Sequence, residues 1–282
     1  MKKFTKLFAL LLSLMMLAGA VTACGGSSDD KTKSTSGAAD SSAADGTEST
    51  ESTGNSAEAS TITFGTNAEF PPFEFVTAKG VIDEFDGIDM AVAKQIAEDN
   101  NMTPRIENME FDSLLLALEN GQVDAIIAGM TITDEKAEAV SFSIPYYTAK
   151  QVMIVKEDSD IAKASDMADK KIVVIQGYTG EACVKKMGYE YEAFKKGSEA
   201  IMELVNGKCD VVVIDSATAE KYVKDTDGLK IVEDAEAFDS EEYGVAVKKE
   251  NTELLEKINA SLQKMLDEGT ISELSAQYSE AE

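Results

Sequence analysis

The residues with most chemical promise run from Gly129 to Tyr147, GMTITDEKAEAVSFSIPYY. Gly129, Thr131 and Thr133 carry small side chains that leave backbone amides accessible. The acidic DEKAEA that follows suits a helix, with Thr133 as its cap and Lys136 as a nearby cation. An accessible helix start beside hydroxyls and a positive charge is a device for capturing an anionic group. Two further positions could take part. Thr179 and Gly180 lie at a strand-to-helix turn. Asp215 closes the apolar run Val211 to Ile214, so its carboxylate stands at the carboxyl end of a strand. There it accepts from a cation or caps a helix, and Ser216 can do the capping instead.

Absences exclude several chemistries. The chain has no histidine, which rules out a His-assisted serine or cysteine nucleophile and His-based zinc sites. Cys183 and Cys209 lack CxxC spacing. An exported location permits a disulfide between them, but both fit helix and strand positions as small buried thiols, and free thiols are the favoured reading. The Gly177–Gly180 turn alone is too short for a nucleotide site, and no cofactor or metal is expected. A net charge of −26 argues against nucleic acid, whose phosphates need Lys and Arg clusters.

Strand-like and helical runs alternate through the elements that must position these residues. Ile62 to Gly65 reads as a strand, and Ile88 to Asp99 as a helix with Ile88, Ala91, Val92 and Ile96 on one stripe. Leu114, Leu115 and Leu118 continue a helix ended by Gly121, and Val123 to Ala128 is a buried strand. A second series follows: strand Lys171 to Gln176, helices Gly180 to Met187 and Ser198 to Asn206, strand Asp210 to Ile214, helix Ser216 to Lys224. Strand Tyr243 to Val247, helix Thr252 to Glu268 and a last helix opened by a Thr270–Glu273 capping box complete the chain. Such alternation implies an α/β fold with a buried, mostly parallel sheet, and two similar series suggest two lobes.

The N-terminal part reads differently. Lys2, Lys3 and Lys6 precede the apolar stretch Leu7 to Val21, so residues 1–23 read as an export signal. Val21-Thr22-Ala23-Cys24 resembles a lipobox, which makes Cys24 the lipid-modified N-terminus. An uncleaved membrane anchor is the other reading, although Ser13, Gly19 and Thr22 break the run. Residues 24–60 are rich in Ser, Thr, Gly, Ala, Asp and Glu without aromatics, and read as a disordered tether. Either reading places the remainder outside the membrane.

Five segments resemble, in order, the bacterial extracellular solute-binding proteins (family 3) that feed polar amino acids to ABC importers. They are GTNAEFPPFEF (65–75), FDGIDMAVAKQIA (85–97), FDSLLLALENGQVDAIIAGMTIT (111–133), IQGYTGE (175–181) and CDVVVIDS (209–216). The resemblance spans Ile62 to Tyr278. It implies a two-lobed Venus-flytrap fold with a two-strand hinge, lobe 1 from 61–147 plus 243–282 and lobe 2 from 148–242. The hinge crossings then fall near Tyr147 to Met153 and Glu241 to Val247.

The resemblance also assigns roles. Phe70 stacks on the ligand while Phe73 and Phe75 stay in the core, and Phe111 is either a second aromatic wall or core. Gly129 and Thr131 meet the α-amino and α-carboxylate groups, and Thr179 with the Gly180 amide donates to the carboxylate from lobe 2. Asp215 accepts from the α-ammonium. The family's usual arginine is Lys136 here, which keeps the charge but loses the planar fork. Asn67, where relatives that grip cationic side chains carry Asp, and Gln176 together suggest a polar, uncharged side chain, with Glu69 able to add negative charge if it faces inward. The function so implied is a monomeric, lipid-anchored receptor that closes on an amino acid and delivers it to a membrane permease. The alternatives are a cyclohexadienyl-dehydratase-like enzyme with Glu69 or Glu181 as acid, or a surface lipoprotein with a vestigial cleft.

Overall fold

A computed structural model describes residues 60–280. The export signal, Cys24 and the tether up to residue 59 lie outside the described residues, while Ser60, assigned above to the tether, already belongs to a strand. Lobe 1 begins with β1 (Ser60–Thr66), β2 (Glu69–Phe70), β3 (Glu74–Val76), β4 (Phe85–Asp86), α1 (Ile88–Asp99) and β5 (Met102–Asn108). It continues with α2 (Leu114–Glu119), β6 (Ala125–Ile126), α3 (Asp134–Ala139) and β7 (Val140–Phe142). The chain then crosses on β8 (Tyr147–Lys156) into β9 (Ile172–Ile175), α4 (Thr179–Met187), β10 (Tyr191–Phe194) and α5 (Gly197–Val205). β11 (Val211–Asp215), α6 (Ser216–Asp225), β12 (Leu229–Val232) and β13 (Ser240–Tyr243) follow. β14 (Ala246–Lys248), α7 (Thr252–Glu268) and α8 (Thr270–Glu280) return to lobe 1.

Each lobe is built on one sheet, ordered β5-β1-β6-β14-β7 in lobe 1 and β10-β9-β11-β8-β12 in lobe 2. The expected mostly parallel sheet is in fact mixed. β1 pairs parallel with β5 and β6, and β9 with β10 and β11, as their helical connections demand. The strands that cross between lobes run the other way: β8 is antiparallel to β11, and β14 to β6. The predicted hinge is an antiparallel ladder, with Tyr147 to Lys150 paired to Tyr243 to Ser240. Glycine and valine at 244 and 245 then divide the expected Tyr243 to Val247 strand into β13 and β14.

Differences at the ends of elements have local causes. Gly269 ends α7 in a left-handed conformation, and its carbonyl accepts from the Glu273 amide at 3.0 Å. Gly269 therefore opens α8, and Thr270 is its first helical residue rather than its cap. Arg105 lies within β5. Cys183 and Cys209 are free thiols, as expected.

Candidate functional site

Thr131 is the centre of a hydrogen-bonded network that joins the lobes. Its hydroxyl accepts from the Thr179 hydroxyl at 2.9 Å and donates to Glu241 Oε2 at 2.9 Å. Its carbonyl accepts from Lys136 Nζ at 3.2 Å. Thr133 caps α3 by accepting from the Lys136 amide at 3.2 Å, so the cap that starts the helix also fixes where Lys136 emerges. Lys136 is aimed inward rather than solvated. Burial lowers its pKa, while the charges of Glu241 and Asp215 oppose that shift.

Asp215 ends β11 and stands in the N-cap position of α6, yet its side chain makes no capping bond. It accepts instead from the Tyr243 hydroxyl, and is 3% exposed. Burial raises its pKa, against hydrogen bonds from Tyr243 and Gln151 and the charge of Lys136. Glu241 faces the same space from β13. Burial, reinforced by Asp215, pushes its carboxyl up to about 7. The Gln151 amide approaches Glu241 Oε2 at 3.4 Å from β8, and Gln151 Oε1 is buried without a partner. Gly180 has to be glycine, because a Cβ there would lie 2.8 Å from both Gln151 Oε1 and the Val213 carbonyl.

The Gly129 amide is engaged within the protein. It donates to buried Asp89 at 2.7 Å, and Tyr146 donates to both Asp89 oxygens at 2.9 Å. The reason is the burial of Asp89, which needs donors and raises its pKa to about 6 despite them. Fully buried Glu74 lies beside it, and burial together with Asp89's charge raises its pKa well above the usual carboxylate range. Gly129 also requires its type: φ is +52°, and a Cβ would come 2.5 Å from the Phe70 ring.

An aromatic group borders the network. Phe73 is core, and Phe75 packs on Tyr278 with centroids 6.3 Å apart, while Phe70 faces Gly129 and the second lobe. Phe111 opens a 3₁₀ turn and is partly buried. Tyr178 lies between these two rings. Its centroid is 5.2 Å from Phe70 and 4.7 Å from Phe111, both edge-on, and its hydroxyl donates to Asn67 Oδ1 at 3.0 Å. Asn67 in turn donates to the Met109 carbonyl at 2.9 Å, a two-way role that an aspartate could not fill. Gln176 does not join the Thr179 side of the site. It is exposed and donates to Asp112 Oδ2 at 3.0 Å across the rim. Glu69 does not face inward as a free charge either, since Lys196 binds it at 2.7 Å.

The structure thus brings together Thr131, Lys136, Thr179, Gly180 and Asp215, and separately Asn67, Phe70 and Phe111. Sequence reasoning missed Glu241, Tyr178, Gln151, Tyr243 and Asp89. A cavity of about 780 Å³ borders Thr131, Thr179 and Glu241 on the side of Cys183 and Lys186, and Phe70, Phe111 and Asp215 do not line it. It adjoins the network and lies apart from the aromatic group.

Two α/β lobes joined by two strands, with polar groups of both lobes converging at the hinge, define the class of two-lobed binding proteins. Residues 62–281 match the model of the bacterial extracellular solute-binding proteins, family 3, and the chain belongs to that family. The arginine-binding extracellular protein ArtP of Bacillus subtilis is 31% identical over 77% of this chain and 85% of its own. The crystal structure of the arginine-, lysine-, histidine-binding protein ArtJ of Geobacillus stearothermophilus aligns with a TM-score of 0.72 at 33% identity, over 77% of this chain and 94% of that one. An ancestral arginine-binding protein bound to glutamine aligns with a TM-score of 0.71 at 41% identity, over 77% and 97%.

Proposed function

We propose that this chain is the capture receptor of an ABC importer: it binds a free α-amino acid between its lobes and presents it to a membrane permease. One observation carries this reading. Hydroxyls and an ammonium suited to a carboxylate (Thr131, Thr179, Lys136) stand beside a buried carboxylate suited to an ammonium (Asp215). That pair of opposite subsites complements a zwitterion, and the groups come from both lobes. A ligand touching both lobes favours the conformation in which they meet. Binding near 1 μM needs about −8 kcal/mol net, which two charge-assisted contacts in a dry cleft and one aromatic contact can supply. No step of this reading changes the ligand chemically. Anchoring through Cys24 and action as a monomer complete the reading, since a receptor tied to the membrane stays near its permease.

For the cargo we widen the expectation of an uncharged side chain to polar side chains that end in nitrogen donors. The relatives' names specify arginine, lysine and histidine, and one solved relative holds glutamine. The acceptors near the aromatic pair, Asn67 Oδ1 and the exposed Asp112 carboxylate, now held by Tyr178 and Gln176, suit such donors. Thermal unfolding of the purified chain against the common amino acids, cystine and simple carboxylates tests the function. A thousandfold excess over the dissociation constant stabilises by about 4 kcal/mol. A large shift with one or a few α-amino acids supports the receptor, and silence across the panel from folded protein removes it.

A further inference from the structure

The groups expected to hold a cargo are already held by two side chains of the protein itself. On the carboxylate side, Glu241 accepts from the Thr131 hydroxyl, to which the Thr179 hydroxyl donates in turn, both at 2.9 Å. The Gln151 amide lies 3.4 Å from the same oxygen, and the Lys136 charge faces it. These are the donors that an α-carboxylate would use. On the side-chain side, Tyr178 lies between Phe70 and Phe111 and places its hydroxyl on Asn67 Oδ1 at 3.0 Å. That is the aromatic sandwich and the acceptor which a cargo side chain would use.

We propose that Glu241 and Tyr178 are internal competitors of the cargo, Glu241 standing in for its α-carboxylate and Tyr178 for its side chain, so that both must move aside on binding. The proposal rests on the receptor reading and adds to it a property of the same cleft. Charge supports it: Asp215 and Glu241 are two carboxylates facing one ammonium, Lys136. An incoming carboxylate meets repulsion from Glu241 unless it takes over its donors, whereas an incoming ammonium does not. Tyr178 lies at the start of α4, next to Thr179, so moving it need not disturb the β9–β11 core. Amino-acid affinity is therefore set by a difference between cargo contacts and the internal contacts they replace.

The test compares the wild-type chain with Glu241→Gln and Tyr178→Ala by titration calorimetry, using L-arginine and its decarboxylated form, agmatine. Glu241→Gln keeps an acceptor for Thr131 and removes the charge. It should tighten L-arginine about tenfold and leave agmatine unchanged or weaker. Tyr178→Ala should tighten both. Weaker L-arginine binding in Glu241→Gln would mean that Glu241 grips the cargo's cation, and would overturn the proposal while leaving the receptor intact. A second measurement does not depend on the cargo. Small-angle scattering without added amino acid should give the double variant a larger radius of gyration than wild type, because two links between the lobes are gone. Equal radii overturn the proposal, even if no amino acid on the panel binds and the receptor reading itself has failed.

Discussion

Asp215 combines two tasks that its neighbours make compatible. It accepts from Tyr243 inside the molecule and still presents a carboxylate beside Gln151 and Lys136. Asp215→Ala should raise the dissociation constant for the cargo about thirtyfold or more, since losing one partner of a buried charged pair costs about 2–5 kcal/mol. Thr131→Ala should weaken binding less; calorimetry on the two variants checks the order, and unchanged binding in both would displace the site. The acids around the cleft also set a pH dependence. Glu241 at about 7 and Asp89 at about 6 titrate above their unfolded values, so the folded protein holds protons that the unfolded chain has released. The contribution of these two acids to stability is fully present below about pH 4, falls as pH rises through 6 and 7, and is lost beyond. Melting temperature should therefore drop between pH 5 and pH 8, and Glu241→Gln should reduce the drop. At this scale the sequence was only partly legible. Asp215 stood out because it follows an apolar strand, whereas Glu241 is one acid in the run EDAEAFDSEEYG, and only pairing with β8 aims it at the cleft.

Helices were easier to read than strands. α1 and α7 span Ile88–Asp99 and Thr252–Glu268, the limits that apolar periodicity indicates, because each buries one stripe and ends at a recognisable stop. The expected strand Val123 to Ala128 is reduced to Ala125–Ile126, although the flanking Asp124 and Ile127 amides still donate to the β1 carbonyls of Thr63 and Gly65 at 2.8 and 3.0 Å. The small β2-β3-β4 sheet was not legible at all, because its pairing depends on the chain doubling back after Pro71-Pro72. α3 shows what such an element contributes. Thr133→Ala should cost about 1 kcal/mol of stability and loosen Lys136, seen as a lower melting temperature with weaker cargo binding. Gly129→Ala should be harsher, because it combines a positive φ with a collision against Phe70. Its circular dichroism should remain α/β while cargo affinity falls.

For the whole molecule, the sequence suggested two lobes from two series of elements, but their interleaving came only with the family resemblance. Contacts that tie the lobes outside the Thr131 network include Tyr178 to Asn67, Gln176 to Asp112 and Lys196 to Glu69. They are not equal. Lys196 and Glu69 are 44% and 32% exposed, so solvent screens their pair and it contributes little. Lys196→Met should change cargo affinity less than about fivefold, and raised salt should mimic it. The hinge strand carries a stricter constraint. Along β8, Val152 and Ile154 pack into one core while Met153 and Val155 pack into another, and Gln151 reaches the cleft. Side chains alternate along a strand, so one residue inserted or deleted near Lys150 would turn each of them to the opposite face. Drift in this family should then be asymmetric here: the strand can change its letters over time, but a change of its length would exchange the two cores and remove the amide from the cleft in a single step.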